Sequence, residues 1–480
     1  MADLLLRSVR LLGEREPSDV LISGGAIARI APGLEPGRAE VLDLEGRTLI
    51  RGLRDEHVHF TQWTLATRRL DLGTASSAAE VAELVAAVDI TGDDVIVGVG
   101  FRDGLWPDAP TSRALDLAGR GHPVVLISGD LHCVWLSSSA GRLLGADLDE
   151  SGLLREDDAF RVQGAVDSLP GAAVDLWAAA AGRRAASRGV VGIIDFEMTW
   201  NLDDWTRRVQ SGFDAVHVDF AVYPDDLQRA AAMGLHTGRT IAPGLGVGPL
   251  KVLIDGSLNT RTAYCDHAYP DGDEDYGILT VSPGELSSLL ALCRETGFRP
   301  AVHAIGDRAV RGALDAFAEA GIGGRVEHAQ LIADADIARF APLGVTASIQ
   351  PAHLIDDRNV AERHWSGRTG RAFPVRALLD AGAEVVFGSD APVAPLDPWV
   401  AIAAATHRAA VGDDAWHGEQ RIDRREALDA STGGRASVRV GDPADLAVLD
   451  ADPLSVGHAD LQTMPVALTL LGGRTTHSAV

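Results

Sequence analysis

Over the first fifty residues, apolar and polar positions alternate with a period of two. Strands are predicted over 2–12, 20–23, 26–30, 41–44 and 47–50, and Ser23-Gly24-Gly25 turns the second into the third as a hairpin. Residues 445–449 and 466–471 carry the same alternation, so the two termini are expected to form one small β-sandwich domain, 1–50 with 431–480. Between them, apolar runs alternate with helical periodicity. Strands are predicted over 50–54, 95–100, 124–128, 190–195, 216–222, 250–254, 300–303, 325–328, 345–349 and 384–388. Helices are predicted over 78–88, 172–188, 283–296, 307–320 and 375–381. Such alternation predicts an α/β fold with a parallel sheet. Ten strands are two more than a (β/α)₈ barrel needs, and an insertion over roughly 61–188, after the first barrel strand, absorbs the surplus pair. The barrel is then expected over 51–430.

Composition narrows the function more than the fold. The 480 residues are 46% hydrophobic and 23% charged, the balance of a soluble globular chain. A net charge of −25 repels polyanions, which argues against nucleic acid and acidic membrane surfaces as partners. No apolar run approaches the roughly 20 residues that cross a bilayer. Asp3 stands where a secretory signal would carry a basic residue, so the expected location is the cytoplasm. Cys133, Cys265 and Cys293 are too far apart for a zinc clip or a disulfide framework. A small-molecule substrate is the expected partner, and a homo-oligomer is left open.

In Arg54-Asp55-Glu56-His57-Val58-His59, residues two apart on a strand face one way, so both imidazoles can reach one ion. Alone, such a pair is more often two ordinary polar side chains. His303, His328 and Asp390, however, each close an apolar run as well. Barrel active sites are fed from the ends of several strands, and imidazoles with a carboxylate are ligand chemistry for a divalent metal. The 43 basic residues include one lysine, Lys251, inside a predicted strand. Beside two dications a lysine amine is neutral and can add carbon dioxide, giving a carbamate that bridges the metals. Arginine cannot do this. The plainer reading is a buried lysine paired with Asp255 or another carboxylate.

The chain resembles the amidohydrolase superfamily, specifically its YtcJ-like, amidohydrolase-3 branch related to N-substituted formamide deformylases. The resemblance lies in residues 52–59, 251–263 (KVLIDGSLNTRTA), 303–310 (HAIGDRAV), 325–330 (RVEHAQ), 348–353 (SIQPAH), 387–393 (FGSDAPV) and 444–450 (ADLAVLD). Residues 189–195 resemble that superfamily's second barrel strand. Arg51 departs from the pattern, standing where relatives commonly have Pro before Gly-Leu. The resemblance implies a distorted (β/α)₈ barrel with a flanking β-sandwich. It implies two divalent metals, zinc by expectation: His57 and His59 on one, His303 and His328 on the other, Lys251 as carbamate bridge, and Asp390 as ligand and proton shuttle. It suggests that residues 130–135 line the substrate pocket, with His132 polarising a carbonyl and Trp135 nearby. Arg261, Tyr264 and His353 are weaker substrate-binding candidates, better suited to packing or loop hydrogen bonding.

The expected reaction is hydrolysis of an amide-like or cyclic amide C–N bond by hydroxide from a metal-activated water. Alternatives are a mononuclear deaminase-type site of His57, His59, His303 and Asp390 with Lys251 unmodified, and ester or lactone hydrolysis at the same site. A non-catalytic relative would usually lack ligands, and none is missing. Residues 97–103 fail the dinucleotide fingerprint because Asp103 replaces its third glycine. No Walker loop or GxSxG elbow occurs.

Overall fold

The computed structural model describes residues 3–66, 69–88, 95–166, 171–270 and 274–480. Ala2, which opens the first predicted strand, lies outside them. Eight parallel strands form the barrel: β1 Leu53–Val58, β2 Val190–Asp195, β3 His217–Val222, β4 Leu245–Leu253, β5 Pro300–Ala304, β6 Gly324–His328, β7 Val345–Ile349 and β8 Val385–Phe387. Each pairs with the next in this order. A Val58–Ala391 bridge brings β8 back to β1, with the Asp390 N–H donating to His57 O at 2.7 Å and the His59 N–H to Ala391 O at 2.8 Å. Gly388 permits this approach, since a Cβ there would lie 2.6 Å from the backbone nitrogen of His57.

Strands such as Val190–Asp195 and Val345–Ile349 are almost wholly buried, as strands covered on both faces must be. The helices that cover them bury one stripe. In Asp307–Ala320 that stripe runs Val310, Ala313, Leu314 and Phe317. Helix Pro283–Thr296 starts at a Ser282–Glu285 capping box and stops at Gly297 in the left-handed region.

The first barrel strand is not 50–54 but Leu53–Val58. The apolar segment Thr48–Arg51 belongs instead to the terminal sheet, where it pairs antiparallel with Leu446–Leu449. That eight-stranded sheet joins both ends of the chain. It curls until Ala26 bridges Pro443, enclosing Leu6, Val20, Leu49, Val448 and Leu468 in one core.

The chain between β1 and β2 carries a five-stranded sheet of Leu70–Asp71, Ile96–Phe101, Val124–Ser128, Cys133–Leu136 and Leu153–Arg155. The surplus predicted pair lies here and not in the barrel. One of its cores includes Val393, just beyond β8, so the insertion packs onto the rim where the barrel strands end. Among the described residues, no helix is long and apolar enough to cross a membrane.

Candidate metal centre

The ends of β1, β4, β5, β6 and β8 converge on one point. His57 is fully buried, with Nε2 3.1 Å from Lys251 Nζ and 3.5 Å from Asp390 Oδ1. His59 Nε2 lies 3.4 Å from the same carboxylate oxygen. The His328 ring centre is 5.0 Å from that of His57 and 4.5 Å from that of His303. His353 begins the helix after β7, stacks on His328 at 6.1 Å and places Nε2 3.8 Å from Asp390 Oδ2. Two donor groups each span no more than 4.8 Å: His57, His59 and Asp390, and His328, His353 and Asp390. Asp390 is the corner they share.

Register explains the layering. Leu253 pairs with His303 and Lys251 with Ala301, which sets Lys251 one inward-facing layer deeper than His303. His303 Nε2 is 3.4 Å from Gly256 O and 3.6 Å from Asp255 Oδ1. Asp255 is not paired with Lys251. It accepts the backbone N–H groups of Tyr264, Ile305 and Gly306, fixing the loop after β4.

Behind the imidazoles stands a chain of charges that the sequence reading missed. His57 Nδ1–H donates to Glu327 at 2.7 Å; Arg325 bridges Glu327 and Glu56; Arg54 joins Glu56 to Asp219. The available signal was an acid inside a buried strand. The bond to Glu327 leaves the Nε2 lone pair of His57 facing the centre. His328 and Asp390 have φ of 70° and 58°, a strained backbone that the surrounding packing holds.

Burial is the main force on the titrating groups. It lowers His57 to about 4 and holds His303 and His328 well below their ordinary values, so these rings are neutral at pH 7. Burial also lowers Lys251 to about 8. Burial pushes the Asp390 carboxyl up, but the imidazoles around it, with His59 as hydrogen-bond donor, outweigh this and hold it well below its ordinary range. His59 Nδ1, His328 Nδ1 and His353 Nε2 are buried without a hydrogen-bond partner. Imidazole nitrogens gathered within 4.8 Å of one another around Asp390, His353 Nε2 among them without a hydrogen-bond partner, are the donor set a zinc-like cation takes, so the residues present fit such an ion.

The insertion supplies the opposite wall. His132 Nδ1–H donates to Glu156 at 2.7 Å, and its ring lies 5.8 Å from His303 and 5.4 Å from Phe160. Burial disfavours its charge, but Glu156, Asp130 and Asp390 outweigh this and raise it to about 9. Ser257 donates to Asp130 and Thr262 to Glu156, both at 2.6 Å, tying the insertion to the loop after β4.

Not every sequence candidate reaches this wall. Trp135 does not line the site, because its ring is fully buried against Phe101 and Trp106 in a core of the insertion. Arg261 closes a turn on Leu258 O, and the Tyr264 ring packs beneath Arg308. His353, a weaker substrate-binding candidate from sequence, lies in the cluster itself. His57, His59, His132, Lys251 and Asp390 line a cavity of about 30 Å³. A broader hollow of about 670 Å³ on the insertion, bounded by Arg113, Asp116 and Arg142, contains none of these groups.

The model of the Amidohydrolase family matches residues 40–477. The N-substituted formamide deformylase of Arthrobacter pascens is 26% identical over 545 residues, covering 98% of this chain and 98% of its own. The Bacillus subtilis protein YtcJ, named as an amidohydrolase, is 24% identical over 501 residues, 95% of this chain and 94% of its own. The crystal structure of an uncharacterized metal-dependent hydrolase from Pyrococcus horikoshii superposes with a TM-score of 0.81 at 24% identity, covering 95% of this chain and 99% of that one.

Proposed function

The chain belongs to the amidohydrolase family, and on that premise we propose that it is a metal-dependent hydrolase of a C–N bond in an amide-like or cyclic amide substrate. The observation that carries this reading is the convergence of four histidines and Asp390, with buried imidazole nitrogens that no protein group satisfies. His57, His59, Lys251, His303, His328 and Asp390 would hold two divalent cations, zinc by donor type, and His353 stands ready beside them. When bound, such a cation supplies Lewis-acid polarisation and lowers the pKa of water to about 7.

The chain's own groups do the rest. Asp390, ionised and facing both His57 and His59, takes the proton of the attacking water at Oδ and later returns it to the leaving nitrogen. His132, held as an imidazolium by Glu156, donates from Nε2 to the carbonyl oxygen as negative charge develops there. Glu327 fixes the tautomer of His57. The Lys251 amine, with its pKa near 8, has a substantial neutral fraction. Its nitrogen forms a bond to carbon dioxide and releases one proton, leaving an anionic carbamate.

A second reading takes Lys251 as a plain, unmodified amine beside His57, its Nζ 3.1 Å from Nε2. It gives one cation on His57, His59, His303 and Asp390, and no carbamate. Elemental analysis of the purified protein, joined to a turnover panel of formamides, acylated amines, cyclic amides, esters and lactones, tests both readings. Two equivalents of metal with amide turnover support the first, one equivalent supports the second, and turnover that survives complete chelation removes both.

A further inference from the structure

Phe160, Met198, Tyr223, Lys251 and Leu253 line both the small cavity at the centre and a hollow of about 520 Å³ outside it, so the two form one route. The outer volume lies within the roughly 300–1,000 Å³ usual for small-molecule sites, whereas the inner one admits little beyond the scissile group. Phe160, Met198 and Tyr223 form the collar between them, and all three are half-buried. Tyr223 donates its hydroxyl to Phe196 O at 2.6 Å, so it offers the hollow a ring and not a free hydroxyl. Phe160 comes from helix Asp157–Val166 of the insertion and stands edge-on to His132. Pro224, Leu253 and Val281 extend the apolar wall.

The exposed charge on this wall has one sign. Asp157 and Asp225 are exposed and make no ion pair among the described residues, while Asp226 is 3.6 Å from Arg229. The one basic residue in the lining is Lys251, buried on the floor beside His57. A substituent lying across the collar therefore meets aromatic faces with unneutralised carboxylates beyond them. Aromatic faces attract cations, and like charges at close range in a cleft repel.

We propose that this hollow is the subsite for the larger substituent of the scissile bond, and that it takes an apolar or aromatic group that is neutral or cationic and rejects one bearing a carboxylate. The inference rests on the metal-dependent hydrolase reading for what happens at the inner cavity. Its test is separate, because it needs no turnover.

Binding of benzyltrimethylammonium and of benzenesulfonate to the zinc-loaded full-length protein is measured by calorimetry at low and at high salt. The ammonium ion is expected to bind at least 10-fold more tightly than the sulfonate, with the preference shrinking as salt rises. The exposed double variant Asp157→Asn/Asp225→Asn should cut the preference by at least threefold, and Phe160→Leu should weaken ammonium binding. Equal or tighter sulfonate binding overturns the subsite, as does a preference that none of these substitutions alters, which would place the ammonium ion elsewhere. Absence of hydrolysis across the amide panel, with these binding results intact, would instead count against the hydrolase reading alone.

Discussion

Glu327→Gln separates a built metal centre from a chance meeting of polar groups. Glu327 is fully buried and accepts both the His57 Nδ1–H at 2.7 Å and the Arg325 Nε–H at 2.8 Å. Burial pushes its carboxyl up, yet Arg325 and His57 outweigh that and hold it far below the ordinary carboxylate range. Glutamine keeps the shape and one acceptor oxygen but removes the charge. Arg325 retains Glu56 at 2.8 Å, so no cation is left without a partner. The loss is then one charge-assisted hydrogen bond, about 1.5–3 kcal/mol of stability, rather than the roughly 3–5 kcal/mol of a broken buried pair. The His57 ring loses its fixed tautomer, and the partner carboxylate of a metal-ligating histidine is typically worth about 10–100-fold in metal affinity. Competition with a calibrated chelator gives the zinc dissociation constant of each protein, and urea unfolding gives the stability. The variant should bind zinc about 10–100-fold more weakly and regain most of its turnover when zinc is saturating. Unchanged zinc affinity in a folded variant would refute the role given to Glu327, and so would turnover that saturating zinc fails to restore.

Asp390→Asn keeps the size of the side chain but removes the base, so kcat should fall by about 10²–10⁴ with metal content intact; near-normal turnover would move proton transfer to another group. Lys251→Arg should lose one metal and most activity, and Lys251→Ala should recover part of it when a short carboxylic acid is added; an arginine variant with both metals and full rate would show the lysine to be incidental. His132 has a folded pKa raised to about 9, so its pairing with Glu156 is complete below the unfolded value of about 6.5 and is lost as pH rises through about 9. The rate should decline on the alkaline side near that upper value, and Glu156→Gln should shift the decline downward; an unmoved limb in that variant removes His132 from the reaction.

Most of the barrel was legible because buried strands and one-sided helices leave strong periodic patterns. Residues 190–195 and 345–349 form strands as the apolar runs predict, and Pro283–Thr296 and Asp307–Ala320 match their helical stripes. The first barrel strand was misplaced for a physical reason. Its residues Arg54, Asp55, Glu56 and His57 are polar because they pair with one another and with Asp219, Arg325, Glu327 and Ser389, while the apolar Thr48–Arg51 beside it pairs in the terminal sheet. Leu70–Asp71 and Leu153–Arg155 are too short to show alternation, so the insertion's sheet was only partly anticipated.

Among the site residues, those ending apolar runs were readable. His303, His328 and Asp390 each announce themselves by a charge or an imidazole where an apolar run stops, and His57 by its two-residue spacing from His59. Lys251 was readable by its rarity. His353 begins a helix, where sequence alone does not distinguish a surface imidazole from one turned inward. Trp135 shared a segment with His132 but sits on the opposite face of its strand, in the insertion's own core. Glu327 and Glu156 act by touching other side chains, and such pairings across the fold leave no local pattern.

Diffraction from zinc-loaded crystals on either side of the zinc absorption edge tests the central claim most directly. Anomalous peaks are expected among His57, His59, His303, His328 and Asp390, with ligand distances of about 2.0–2.2 Å and added density on Lys251 Nζ. Stoichiometric zinc located away from these side chains, with the His57–Lys251 contact unchanged, would contradict it.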